Sequence, residues 1–352
     1  MNHFVRILHQ RLHMQESSRP LASFVGRRAF TSQTAAMMLS GIGSILPKMG
    51  AAQTAYPSKS IRFLVGYPPG GSADVVARLL ADALRTSLSH PLVIENLPGA
   101  SGNIAAQAAA RATPDGHTLL MGNTAEISIN HFLRKESSFD PQIELAPISL
   151  AYNITHAIAV PASSKYKKLE DLLADASSPG KVRFASAGVG TPGHLAGEML
   201  ALKTGTSLTH IPYKGGSQAL ADLISGQLEC HIAAVSTAMA HVKTGSLRVL
   251  AITSPKRLDL LPNIPAVGES IAPGFDFPLW GGVFGSSKIP KDILSLLNRE
   301  INKALDRPEV QAKLTAQYSQ ATKFTPSEFS DFLKADADRY RSVIREAKIS
   351  ID

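Results

Sequence analysis

Three stretches of the 352-residue chain place glycine, proline and a hydroxyl between an apolar run and a helical pattern. They are Tyr67-Pro68-Pro69-Gly70-Gly71-Ser72-Ala73-Asp74, Ala187-Gly188-Val189-Gly190-Thr191-Pro192-Gly193-His194 and Pro212-Tyr213-Lys214-Gly215-Gly216-Ser217. Corners of this build suit the binding of an anion. Proline fixes the turn, Gly70 and Gly71 let backbone approach a ligand with no Cβ in the way, and Ser72 and Thr191 can cap the helices that follow. The first amides of a helix lack intrahelical partners, and the macrodipole adds partial positive charge at the same place. The Lys-Ser/Thr ending of a nucleotide-binding loop is missing. Asp74 and Arg78, four residues apart, can orient a ligand or simply pair on the helix surface. One such corner is common in α/β proteins. Three, divided between the halves of the chain, point to helix starts converging on a cleft beyond the carboxyl ends of strands.

The rival chemistry is hydrolysis of an ester or amide. Ser164-Lys165-Tyr166-Lys167 fits a Ser-x-x-Lys pattern, and Lys-Thr-Gly occurs at Lys203-Thr204-Gly205 and Lys243-Thr244-Gly245. That chemistry needs the Ser to open a buried helix and the Lys-Thr-Gly to lie on a neighbouring strand. Here each Lys-Thr-Gly closes a helical pattern, as a C-cap does, and no Ser-Asp-Asn element is present. No Gly-x-Ser-x-Gly elbow occurs, and Ser72 has no placeable His–Asp partnership. After residue 52 the histidines are His90, His117, His131, His156, His194, His210, His231 and His241. No two stand at helical ligand spacing, so neither a metal site nor a cofactor is expected. His194, in the first turn of a cleft-facing helix, serves either the ligand or the fold. The chain is therefore expected not to be an enzyme.

The elements that must hold these corners alternate. Strand patterns over residues 61–66, 91–95 and 117–121 enclose helical ones over 72–87 and 104–111. The alternation resumes with strands at 156–160, 182–185, 207–210, 229–233 and 248–252, and helices at 169–174, 192–203 and 217–224. A Pro- and Gly-rich segment, 260–278, leads to a strand at 280–284 and helices at 291–304, 308–318 and 326–347. This is an α/β chain with largely parallel sheets in two lobes. The first lobe is read as 53–153 with 278–352 and the second as 154–277, and two crossings between them form a hinge. The single Cys230 lies in a buried strand pattern and reads as a core thiol.

The net charge of +8 first suggests nucleic acid or an anionic membrane. Yet residues 1–52 carry six basic residues and one acid, and the rest of the chain holds 30 basic against 27 acidic. With no basic stripe left, a nucleic-acid partner is not expected. The excess belongs to a leader. Arg27-Arg28-Ala29-Phe30 precedes the apolar run 34–46, then Lys48 and the small residues Gly50-Ala51-Ala52. The pattern is that of an exported chain cleaved near Ala52, of Tat type more than of Sec type. A cytosolic N-terminal helix is the alternative.

Several of these residues, in order, match a known family. Tyr67-Pro68-Pro69-Gly70-Gly71 with Asp74 and Arg78 resembles the opening signature of the Bug family, the periplasmic substrate-binding receptors of tripartite tricarboxylate transporters. The resemblance continues through Glu95–Ala100, Gly190–Ala196, Ile211–Gly216, Leu250–Ser254 and Trp280-Gly281-Gly282. It implies a periplasmic binding protein fold of type II kind, with a ligand cleft between two α/β lobes. It also implies a small carboxylate ligand, such as an organic, amino or aromatic acid, held by loop amides and hydroxyls. The implied partners are membrane subunits of such a transporter or a sensor protein, with the receptor itself a monomer. By resemblance the cleft is lined by Tyr67, Pro69, Gly70, Gly71, Ser72, Ala73 and Asp74, by Asn123 and Thr124, by Gly188, Val189, Gly190, Thr191 and His194, and by Tyr213, Lys214 and Gly215. Two positions depart from the family pattern. His231 stands where an apolar residue is usual, and Ala266 where Thr is usual.

Overall fold

The computed structural model describes residues 56–133, 139–319 and 322–349. The expected leader, 1–52, and its cleavage near Ala52 lie outside the described residues. Ten strands form two five-stranded sheets. The first sheet has the order β2-β1-β3-β10-β4, made of β1 (Ile61–Val65), β2 (Leu92–Asn96), β3 (Thr118–Asn123), β4 (Leu145–Ile154) and β10 (Leu279–Ser286). The second has the order β7-β6-β8-β5-β9, made of β5 (His156–Pro161), β6 (Val182–Ser186), β7 (Leu208–Pro212), β8 (Cys230–Ala234) and β9 (Leu247–Ile252). Each sheet with its helices is one lobe.

Local patterning explains most of these elements. In β1 the residues Ile61, Phe63, Leu64 and Val65 are buried, while Arg62 faces water and pairs with Glu95 at 2.7 Å. Helix Ser72–Leu84 buries Val76, Leu79, Leu80, Ala83 and Leu84, the three-and-four spacing that seats one face on a sheet. The corresponding helix of the second lobe, Pro192–Thr204, is buried along most of its first two turns.

The sheets are mixed, not largely parallel. β1 runs parallel to β2 and β3, and β6 runs parallel to β7 and β8. But β10 is antiparallel to both β3 and β4, and β5 is antiparallel to both β8 and β9. These two are the strands that enter a sheet from the other lobe, so they arrive without a crossover helix to set their direction. β4 is the other departure. Its ten residues include Pro147, which argues against a strand. The structure accommodates it because β4 is an edge strand and its register shifts against β10 between Val283 and Phe284, where Pro147 pairs.

The chain passes from the first sheet to the second between Ile154 and His156 and returns between Phe277 and Leu279. The crossings lie side by side and are bonded to one another. Thr155 Oγ1 is 3.3 Å from Thr253 Oγ1, Phe277 N donates to Thr253 O, and His156 Nδ1 is 3.1 Å from Phe277 O. Since a carbonyl only accepts, His156 carries its proton on Nδ1. The last helix, Pro326–Glu346, spans the division. Phe329 and Leu333 pack with Trp280 and Phe284, while Tyr340, Val343 and Ile344 pack with Phe184 and Phe277. Asp336, at its middle, is fully buried. It accepts from Trp280 Nε1 at 2.7 Å and from Arg339 at 2.7 Å, and Arg339 also pairs with Asp276 beside the return crossing.

Trp280→Phe keeps a ring in the cluster and deletes the indole donor to a buried carboxylate. A loss of about 1–3 kcal/mol is expected, read as a fall in the denaturant midpoint. An unchanged midpoint would mean that this bond does not tie helix to strand.

Candidate functional site

Between the lobes lies a cavity of about 420 Å³, within the usual range for small-molecule sites. The first lobe contributes Tyr67 to Ala73, Asn123, Tyr152 and Leu279, and the second contributes His156, Ala187, Thr191 to Gly193, Lys214 to Gln218, His231 to Ala234 and Thr237. Its walls are therefore the ends of strands and the starts of helices.

Four helices of the described residues begin at this cavity, and none is closed by a side chain. Gly71 is the cap of Ser72–Leu84, Thr191 of Pro192–Thr204, Gly215 of Gly216–Ile224 and Ala234 of Val235–Lys243, and in no case does the cap side chain accept from the helix. Ser72, expected as a cap, is instead the first helical residue. Thr191 holds the cap position but turns its hydroxyl to Gly188 O at 2.7 Å. Two helices elsewhere do carry a side-chain cap: Thr325 and Glu328 form a reciprocal box at the last helix, and Asp140 accepts from Gln142 N. The bare starts face the cavity.

The lining carries Lys214 as its charged side chain and has no Asp or Glu. Tyr67 and Tyr152 are neutral, because burial raises both phenols well above their ordinary range. His156 is held down at about 4 by burial, against the bond to Phe277 O that pulls the other way. An anion meets no opposing charge in such a wall.

Of the expected residues, Tyr67, Pro69, Gly70, Gly71, Ser72, Ala73, Asn123, Thr191, Lys214 and Gly215 line the cavity. The rest stand behind it or beside it. Asp74 is buried and shapes the loop: it accepts Gly70 N at 3.0 Å, two bonds from Arg78 and one from Asn96. Burial opposes its ionisation, but these bonds together outweigh burial and hold the carboxyl below its usual range. Thr124 is fully buried and trades two hydrogen bonds with the backbone of Trp280. Gly188, Val189 and Gly190 press against the first lobe. Ser101 Oγ donates to Val189 O at 2.9 Å, and a Cβ on Gly190, whose φ is +74°, would meet Asn130 and Leu133 at 2.7 Å. His194 spends Nδ1 on Gly190 N at 3.2 Å, which fixes this loop, and stacks on His210. Tyr213 donates to Asp222 at 2.6 Å and stays out of the lining.

Sequence reasoning missed Tyr152, His156, Thr237 and the end of β8. Tyr152 was hidden with β4. The only signal for the end of β8 was His231, a polar residue within an apolar run.

The hydrolase pattern finds no geometry. Ser164 sits in a turn, where its Oγ accepts Tyr166 N and Lys167 Nζ donates to its carbonyl. Gly205 and Gly245 follow helix ends with φ of +64° and +76°, so both Lys-Thr-Gly segments are C-caps.

Behind Tyr67 and Asn123 lies Glu126, fully buried. Its Oε1 accepts Asn123 N at 2.7 Å, and Asn123 Oδ1 accepts from Tyr152. Tyr67 Oη is 3.2 Å from both Glu126 Oε2 and Ser101 O, two acceptors for one phenolic proton. Burial pushes the Glu126 carboxyl up to about 8, against the pull of the bonds from Asn123 and Tyr67. A protonated Glu126 can donate to Tyr67 Oη and free the phenol for Ser101. The proton thus completes the network and keeps a negative charge from standing behind the cavity wall.

The folded chain keeps this proton where the unfolded chain, at the ordinary value of 4.5, has released it. The contribution of Glu126 is therefore full at low pH, and falls as pH rises through about 8. Glu126→Gln, neutral at every pH, should flatten the decline in unfolding free energy between pH 5.5 and 8.5. Equal slopes for the two proteins would rule out this carboxyl as the source.

Comparison with known proteins gives consistent matches. The profile of the tripartite tricarboxylate transporter family receptor matches residues 76–349. Protein BugT of Bordetella pertussis is 33% identical over 315 residues, covering 88% of this chain and 97% of BugT. A solved R. palustris structure with adipate is 27% identical with a TM-score of 0.80, covering 84% of this chain and 99% of that one. MatC from Rhodopseudomonas palustris with bound malate is 25% identical with a TM-score of 0.77, covering 82% of this chain and 100% of that one.

Proposed function

The chain belongs to the tripartite tricarboxylate transporter receptor family, and from that premise we propose that it captures a small carboxylate between its lobes for uptake or sensing. The observation that carries the reading is the cavity itself, where four uncapped helix starts meet beside Lys214 and no acidic side chain lines the wall. A carboxylate needs several N–H donors in a small arc, and backbone at a helix start supplies them. Adipate and malate in the two solved relatives support the same class of ligand.

In this proposal the turn Tyr67–Asp74 receives the carboxylate. The lobe of residues 154–277 closes on the lobe made by 53–153 and 278–352, through contacts that exist only in the closed form. The leader sends the chain to the periplasm and is cut near Ala52. There the receptor, a monomer that performs no catalysis of its own, hands its ligand to membrane subunits of a tripartite transporter or to a sensor.

A thermal-shift screen of mono-, di- and tricarboxylates, amino acids and aromatic acids tests this. Ligand at 100 times its dissociation constant should stabilise the fold by about 2.7 kcal/mol. Stabilisation by neutral sugars alone would overturn the proposal. Gly71→Leu gives a second check. Gly71 has an extended backbone with φ of −75°, and a Cβ there would touch only Pro68 O at 3.8 Å. The fold should survive while carboxylate affinity falls by about tenfold or more in titration calorimetry, as it would if one good hydrogen bond to a charge were lost.

A further inference from the structure

The end of the cavity beside the crossings is lined by Tyr152, His156 and Leu279. His156 opens β5, and only 5% of its surface is exposed. The two edges of its ring have different tasks. Nδ1 carries the proton and donates it to Phe277 O at 3.1 Å, which fixes the tautomer. Burial holds the imidazole at about 4, so at neutral pH it is uncharged and Nε2 is a lone pair. The nitrogens of His231 are sealed within the protein without partners, whereas His156 Nε2 keeps a surface open to the cavity. It lies against Gly193, another lining residue, where a Cβ would stand 3.6 Å from it.

This acceptor differs from the rest of the lining. Ser72, Ser217 and Thr237 carry hydroxyls that can turn to donate or accept. Tyr152 gives its proton to Asn123 Oδ1. A lone pair fixed by a bond to the hinge cannot turn. Left bare in a closed cleft, it loses the hydrogen bond it had with water, and a carboxylate oxygen set against it is repelled. An O–H or N–H carried by the guest satisfies it. The charges of the wall decide between the two. Lys214 is cationic and no Asp or Glu lines the cavity, so a buried ammonium would meet no opposing charge in the protein. A hydroxyl donates without adding charge.

We infer that His156 Nε2 receives a hydroxyl of the ligand, so that the protein selects hydroxy acids over their unsubstituted parents and over the matching amino acids. The inference rests on the carboxylate reading above and adds the second group by which the ligand is recognised. It makes His156 a specificity residue, oriented for that task by the return crossing.

Titration calorimetry on the purified protein tests it. The probes are lactate with propionate and alanine, 3-hydroxybutyrate and 4-hydroxybutyrate with butyrate and the two aminobutyrates, and 4-hydroxybenzoate with benzoate and 4-aminobenzoate. At least one hydroxy acid should bind tenfold or more tightly than both its partners, because a site built around a hydroxyl leaves its own atom unpaired when the hydroxyl is missing. Two variants separate the edges of the ring. His156→Asn places an amide near Nδ1, so it should keep the bond to Phe277 and the thermal midpoint but lose the hydroxyl preference. His156→Gln places an amide near Nε2, so it should lower the midpoint yet retain part of the preference. Equal affinity for hydroxy acids and their parents, tighter binding of the amino acids, or a hydroxyl preference unchanged in His156→Asn would overturn the inference while leaving carboxylate capture intact. Failure of every acid, these and those of the wider thermal screen, to bind the parent protein would overturn both.

Discussion

The arrangement depends on peptide N–H groups left without partners at the starts of helices. A helix start that faces solvent is ordinarily satisfied by water or a side-chain cap, and this chain supplies such caps at Thr325 and Asp140. At Gly71, Thr191 and Gly215 it does not. Glycine cannot cap through a side chain, and Thr191 is diverted to Gly188. Much of the surrounding detail serves to keep those amides bare yet rigid. Asp74 clamps Gly70 from behind, and His194 clamps Gly190. In each lobe, then, a side chain four residues into the corner holds the loop open from its buried side.

Charge is handled with similar economy. Partial charges at helix starts are weak beside a full one, so a carboxylate close by would cancel them. Glu126 stands just behind the first corner, and burial keeps it protonated near neutral pH. The ionised acid Asp74 is spent on Arg78, Asn96 and Gly70. Lys214 then contributes the full positive charge of the lining. The chain-wide excess of +8 has no part in this, because most of it lies before residue 53.

Much of this was legible in the sequence. Glycine and proline at strand-to-helix junctions mark where backbone can be approached, and that pattern identified the turn Tyr67–Ala73 together with Thr191, Lys214 and Gly215. The two-lobe alternation was equally open to reading, since helical and strand periods differ so clearly in β1 and the helix after it. What stayed hidden depended on partners distant in the chain. Nothing local says that β10 and β5 run against their neighbours, because their direction is set by where they cross. Pro147 disguised β4, and Tyr152 with it. Asp74, His194 and Tyr213 have side chains suited to a ligand. Only the fold reveals that Gly70, Gly190 and Asp222 already claim them.

The paired crossings at Thr155 and Phe277 carry a mechanical consequence. Two strands that pass between bodies side by side, riveted together through Thr253 and His156, behave like the pins of a door. Sliding one body past the other would have to stretch both strands and shear the rivets, while swinging about the line through them costs only small changes in a few torsions. The last helix, fastened to Trp280 at its middle and to the packing around Tyr340 further on, lies across the jamb.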